Sequence, residues 1–233
     1  MHLIDLSTRH LASETERLVS TAERLSDADV AGDSLCPGWS RGHVLSHLAR
    51  NADALGRVCS AILTGEPDTM YDSTEARDAD IEAGAARPAA ELATDVRTSA
   101  AALAPDIARV GIQHVGTTVE RVPGGQLVAA ERVPFMRLRE VVWHHVDLDA
   151  GYTFSDAPEE LVHLFLDDAV SRLAAAAGAP ALTLSTTEGD EWVVGEGTAR
   201  VAGSRPGVLL WLARGIDGGL EHEGPLPALP FGG

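Results

Sequence analysis

The stretch Ser40-Arg41-Gly42-His43-Val44-Leu45-Ser46-His47-Leu48-Ala49-Arg50-Asn51-Ala52, with its continuation to Leu63, decides the first half of the fold. Val44, Leu45, Leu48, Ala52, Leu55, Val58 and Ile62 recur at steps of three and four, the repeat that puts side chains on one face of an α-helix. Ser40 brings a hydroxyl suited to the free amides of a helix start, and Gly65 a left-handed stop. Further helices follow outward from it. One is capped by Ser7 and runs to about Leu25, with Leu11, Leu18 and Leu25 on one stripe. Gly32 to Gly38 reads as turn. Ser73 begins a short helix over Glu75 to Glu82, and Pro88 opens one that runs to about Leu103. In residues 110–133, Val115, Thr117, Thr118, Val119 and Val122 lead into Pro123-Gly124-Gly125 and then Leu127-Val128, which fits either a hairpin or an ordered loop with some strand. Pro134 opens a helix through about Leu148, ended by Gly151.

Past Tyr152 the pattern changes. One helix spans about Pro158 to Ala177, then β-like runs cover Ala181–Thr187, Glu191–Val194 and Thr198–Ala202. A helix from about Pro206 to Arg214 precedes a tail rich in glycine and proline. Helices followed by mixed strands and helices predict an α domain, residues 1–153, joined to a small mixed α/β domain, residues 154–233.

A chain of 233 residues, 45% hydrophobic and 23% charged, holds one large or two small globular domains. Its 18 basic against 35 acidic residues leave a net charge of −17, which repels phosphate backbones and anionic lipids. Neither nucleic acid nor a membrane is therefore expected as a partner, and the acidic excess reads as solvated surface. All 18 cations are arginine; without lysine, Schiff-base chemistry, pyridoxal attachment and a P-loop are excluded. Cys36 and Cys59 are the only cysteines, too few for a disulfide framework or a zinc ribbon. Met1-His2-Leu3-Ile4-Asp5 lacks the basic region and apolar run of a signal peptide, and no apolar stretch is long enough to span a bilayer. A cytoplasmic protein is expected, and, with no heptad seam in view, a monomer.

The chemistry concentrates in Arg139-Glu140-Val141-Val142-Trp143-His144-His145-Val146-Asp147-Leu148. Glu140 and His144 are four apart, so on a helix they lie about 40° apart and one turn along. A carboxylate and an imidazole so placed suit zinc or another divalent first-row metal, although so short a motif also arises by chance. His43 and His47 form a second pair four apart, with His47 where the apolar stripe turns inward. A histidine there is more often a hydrogen-bonded core residue than a ligand. Helical bundles nevertheless assemble metal sites from inward side chains on facing helices, and three ligands would leave one position open, as catalytic zinc requires. Arg77 fits a surface ion pair with Glu75 or Asp80. Trp39 and Trp143 fit core or pocket wall. Asp147, three residues after His144, either orients that imidazole or pairs near the helix end.

Cys36-Pro37-Gly38-Trp39 followed by Ser40 to Ala52 resembles the second-helix signature of the mycothiol-dependent maleylpyruvate isomerase family. Arg139 to Leu148 resembles its second signature, a glutamate and a histidine four apart ahead of Val-Asp-Leu. Between them, Met70-Tyr71-Asp72-Ser73-Thr74-Glu75-Ala76-Arg77 and Asp78-Ala79-Asp80-Ile81-Glu82 resemble the stretch that follows the second helix in true isomerases. The order and spacing agree over most of the chain. The resemblance implies a DinB-like four-helix bundle with a small α/β domain, His47, Glu140 and His144 as metal ligands, zinc as the ion and mycothiol as cosubstrate. It gives Arg77 a part in activity alongside His47, and gives none to His43, His145 or Cys36 as ligand or catalyst. The implied reaction turns maleylpyruvate into fumarylpyruvate in gentisate-type aromatic degradation, by thiolate addition, bond rotation and elimination. A related zinc-dependent mycothiol S-transferase acting on another electrophile, or a non-enzymatic metal-binding module, would carry the same metal residues.

Overall fold

A computed structural model describes residues 3–230 of the chain. Met1 and His2 at the start, and Phe231 to Gly233 of the glycine- and proline-rich tail, lie outside the described residues. The chain divides into two compact units, residues 3–34 with 38–150 and residues 35–37 with 151–230.

The first unit runs α1 (Leu3–Ala22), α2 (Asp27–Ala31), α3 (Arg41–Thr64), α4 (Thr74–Ala85), α5 (Ala89–Ile107), β1 (Thr118–Glu120), β2 (Leu127–Ala129) and α6 (Val133–Asp147). α3 packs on α5 and α6, and α1 packs on α6 and α5, which makes a four-helix bundle with α4 laid against α3. All seven apolar positions read on α3 are buried. Ser40 Oγ accepts the His43 amide at its start, and Gly65 closes it at φ 76°, donating its amide to the Ala61 carbonyl at 2.9 Å. α4 and α5 start after Ser73 and Pro88 as expected, and both run further than the sequence suggests. The hairpin alternative is the one realised: Thr118, Val119 and Glu120 pair antiparallel with Ala129, Val128 and Leu127.

Two expectations at the N-terminus fail. α1 begins at Leu3, so Ser7 is a buried residue inside the helix and not its cap. It ends at Ala22, before Leu25, and its buried face carries Ser7, Glu14 and Thr21 beside Ile4 and Leu18. Those polar residues are seven apart on the inner face, where a search for apolar periodicity does not register them. α2 was not anticipated, although Ser26 and Asp29 form a capping box in which each side chain accepts the other's amide, at 3.2 and 2.8 Å.

Glycines set the approach of α4 to α3. A Cβ on Gly42 would overlap the Ala85 carbonyl oxygen, and one on Gly84 would overlap Ser46 Oγ. Ser46 Oγ instead donates to the Ile81 carbonyl at 2.9 Å in the buried seam. Ahead of α4, the Met70 and Tyr71 amides donate to the carbonyls of Glu120 and Arg121, both at 2.9 Å, which ties this segment to the hairpin.

The second unit contains α7 (Glu159–Ala175), β3 (Leu182–Thr186), β4 (Glu191–Val194), β5 (Ala199–Gly203), α8 (Arg205–Arg214) and the short β6 (Glu221–His222), which was not expected. The sheet order is β4-β3-β5-β6; β3 and β5 are parallel and the other pairs antiparallel. Leu182, Leu184, Val194 and Val201 from the sheet are buried, as are Leu161, Phe165, Leu209 and Trp211 from the helices. Among the described residues, no helix is long and apolar enough to cross a membrane.

Candidate metal centre

α3 and α6 present three donors to one point. His47 on α3 is buried, and Glu140 and His144 lie one turn apart on α6. His47 Nε2 lies 2.8 Å from Glu140 Oε2, and His144 Nε2 lies 3.3 Å from the same oxygen. One ligand atom from each residue lies within 4.8 Å of the others. Tetrahedral zinc with bonds of about 2.0–2.1 Å sets its ligand atoms about 3.3 Å apart, so these spacings suit a small divalent ion.

The hydrogen bonding behind the donors fits the same role. His144 Nδ1 lies 2.7 Å from Asp147 Oδ2, and Asp147 is 1% exposed. A carboxylate only accepts, so Nδ1 carries the proton; in the neutral ring, Nε2 is then a bare lone pair facing the Glu140 oxygen. Two acceptors so placed repel unless a positive charge lies between them, either a second proton on His144, which then donates to Glu140, or a metal ion. This is the orienting role that the sequence left open for Asp147. Burial pushes the His47 imidazole down to about 4, against the pull of its hydrogen bond to Glu140, and so keeps it in the neutral form that a metal requires. Burial alone would raise the Glu140 carboxyl, but hydrogen bonds from His144 and His47 outweigh it and hold the group well below the usual carboxylate range.

Arg77, on the first turn of α4, brings Nη2 to 3.4 Å from His47 Nδ1. Its ion pair is with Asp78, at 2.6 Å, and not with the Glu75 or Asp80 expected from spacing. Its guanidinium carbon sits 5.9 Å from the Tyr71 ring centre. Trp39 forms a wall, with its ring 5.4 Å from that of His47 and 6.5 Å from that of His144. Trp143 is buried. Tyr71 and Asn51, both buried, were not singled out in the sequence; Asn51 lies one turn beyond His47 on α3, a spacing that could have found it, whereas Tyr71 is placed by the pairing of its segment with the hairpin.

The other candidates point elsewhere. His43 Nδ1 lies 2.7 Å from Ser40 Oγ, and its Nε2 lies 3.0 Å from Glu82. His145 turns away on α6 and pairs with Thr21 Oγ1 at 2.8 Å. Cys59 is buried, its thiol pushed up to about 12 by that burial, so it is protonated at neutral pH.

The model of a family described as "Mycothiol maleylpyruvate isomerase N-terminal domain" matches residues 11–149. Among solved structures, the chain is similar to the crystal structure of the mycothiol-dependent maleylpyruvate isomerase, at 26% identity and a TM-score of 0.87. The match covers 97% of this chain and 96% of that one. A crystal structure of a histidine-to-alanine mutant of that enzyme matches with the same values. No curated protein sequence matches.

Proposed function

The chain belongs to the mycothiol maleylpyruvate isomerase family, and from that premise we propose that it isomerises maleylpyruvate to fumarylpyruvate with mycothiol as cosubstrate and zinc held by His47, Glu140 and His144. The observation that carries this reading is the convergence of one oxygen and two imidazole nitrogens from two helices, with a buried carboxylate behind one of them.

A cis-to-trans change needs the double-bond order lowered for a moment. A thiolate adds to one alkene carbon, forming a C–S bond, and the π electron pair moves into the conjugated carbonyl as an enolate. The former double bond turns as a single bond. The enolate then collapses, the C–S bond breaks and the thiolate leaves unchanged, so no oxidant or reductant is consumed. Zinc, when bound, supplies the Lewis acidity that keeps a thiol with an ordinary pKa near 8.5 in its anionic form at neutral pH.

The chain's own residues do the rest. His47 and His144 contribute neutral nitrogens, and Glu140 offsets part of the ion's charge. Asp147 holds the His144 proton on Nδ1. Arg77, half-buried beside His47, grips a substrate carboxylate through parallel N–H donors, which lysine cannot reproduce. Trp39 walls the site against water. Cys59 is too buried and too firmly protonated to compete as nucleophile, which suits an external thiol. The cytosol keeps such a thiol reduced, and we place the protein there.

Metal content and mycothiol-dependent turnover of maleylpyruvate, measured together, test the reading. The wild type is expected to hold about one zinc per chain, as a single three-ligand site implies, and to require mycothiol. His47→Ala is expected to lose both metal and activity, and Arg77→Lys to keep the zinc while losing most turnover. Activity in metal-free His47→Ala would overturn the assignment, and undiminished turnover in Arg77→Lys would remove Arg77 from it. Transfer of mycothiol to an electrophile, without isomerisation, would point to the S-transferase.

A further inference from the structure

Tyr71 lies between α3 and α4, and its main chain is pinned on both sides. Its amide donates to the Arg121 carbonyl at 2.9 Å, and its carbonyl accepts from Thr69 Oγ1 at 2.9 Å. The ring is flanked by two guanidinium groups, with the carbon of Arg77 5.9 Å and that of Arg121 5.6 Å from its centre. Arg77 also reaches His47, so the ring stands beside the metal donors. Asn51 and Arg77 both face the phenol oxygen as donors. Arg77 has no acceptor to offer, and Asn51 Oδ1 is held by the buried Arg137, whose Nη1 donates to it at 2.8 Å. Glu140 acts on the phenol only as a charge at longer range, and its Oε2 is engaged with His47 and His144. Among the described residues, none accepts the Tyr71 hydroxyl hydrogen. The hydroxyl is nevertheless within a ligand's reach. Tyr71 keeps 8% exposure, the side chains of Arg77 and Glu140 keep 19% and 21%, and the Tyr71 oxygen is not one of the buried atoms sealed off without a partner, as Arg137 Nη2 is. Burial raises the phenol above its ordinary range, against the charge of Arg77, so the group is neutral at pH 7 and keeps its hydrogen.

A largely buried hydroxyl with donors at its oxygen and nothing to receive its hydrogen is satisfied only when a ligand brings an acceptor. Taking the isomerisation proposed above as given, we infer that Tyr71 is a further catalytic residue, its hydroxyl donating a hydrogen bond to the oxygen of the enolate that forms when the thiolate adds. No proton is transferred, and the enolate collapses with its electrons as before. A fixed neutral donor suits an oxygen whose charge appears only after addition, because it binds the enolate more strongly than the ketone that precedes it. The pinned main chain and flanked ring hold the donor in place before the charge develops. Arg77 is charged and serves the substrate carboxylate, which is anionic throughout. Asn51, oriented by Arg137, sets the direction of the Tyr71 hydroxyl.

Steady-state kinetics of the zinc-loaded full-length protein with mycothiol and maleylpyruvate, measured alongside zinc content, test the role. Tyr71→Phe keeps the ring and removes the donor. It is expected to retain zinc and to lower kcat about 100-fold or more, the loss that follows removal of one such donor. KM for maleylpyruvate should change by less than about twofold, because the interaction is made only after addition. Asn51→Asp puts an acceptor where an amide donates, so it should draw the hydroxyl hydrogen away from the substrate and lower kcat as well. Wild-type kcat in either variant would overturn the assignment. A raised KM with kcat intact in Tyr71→Phe would do the same, since Tyr71 would then hold the ground state. Loss of zinc from Tyr71→Phe would overturn it too, by making Tyr71 a support of the metal site. A wild type that does not isomerise maleylpyruvate with mycothiol would remove the parent reading and this one together, whereas wild-type turnover matched by Tyr71→Phe removes this one alone.

Discussion

The pairing of His144 with Asp147 is a case of one buried carboxylate setting the chemistry of its neighbour. By accepting from Nδ1 at 2.7 Å, Asp147 turns Nε2 toward Glu140 as the ligand atom and fixes the plane of the ring. Asp147→Asn can keep the side chain's shape but not its charge, so zinc affinity is expected to fall about 10- to 100-fold, as competition with a chelator would measure. An unchanged affinity would make Asp147 a packing residue only. Glu140 and His144 were legible as a pair because both sit on one helix at a fixed spacing. His47 was harder to assign, because its place where the apolar stripe turns inward suits a core histidine as well as a ligand. The two differ in what faces them: Glu140 for His47, Ser40 and Glu82 for His43.

At the scale of elements, the seam between α3 and α4 controls where Arg77 sits. Gly84→Ala puts a methyl group against Ser46 Oγ, so α4 must shift; overpacking of this kind costs about 1–3 kcal/mol, readable from urea unfolding. Turnover should fall as well, because the same shift carries Arg77 away from His47. In the second unit, Arg205 at the start of α8 grips Asp190 with two hydrogen bonds, at 2.6 and 2.9 Å. That bond from Arg205, against a smaller burial effect, holds the Asp190 carboxyl below its usual range. A carboxylate whose folded pKa is depressed stabilises the fold above its unfolded value, about pH 3.9, and the contribution declines as pH falls toward the folded value. Asp190→Asn should therefore lower Tm most at neutral pH, with the gap to wild type narrowing below about pH 3.9. A gap that does not change with pH would mean the ion pair contributes nothing. The limits of α3 and the start of α4 were readable from Ser40, Gly65 and Ser73, because caps act within a few residues. α1 was misplaced because its inner face is partly polar.

Across the whole molecule, 35 acidic against 18 basic residues, none of them lysine, set up a self-repulsion that salt relieves. Raising ionic strength from about 0.01 M to 0.1 M shortens the Debye length from about 30 to 10 Å, longer than most ion pairs but short enough to screen charges across the surface. Tm is expected to rise over that range, and a fall would mean that local ion pairs outweigh the global repulsion. That most of the helical segments form, where α3 begins and stops and where α4 and α5 begin, and that α6 carries a glutamate and a histidine one turn apart were legible in the sequence, because periodicity and capping are local. That His47 meets Glu140 and that Arg137 is buried against neutral acceptors were decided only by the packing of helices far apart in sequence. Intrasegment spacing gives the phase of a side chain about its own axis. The distance between two axes, and the rotation of each about itself, follow from how whole faces fit together.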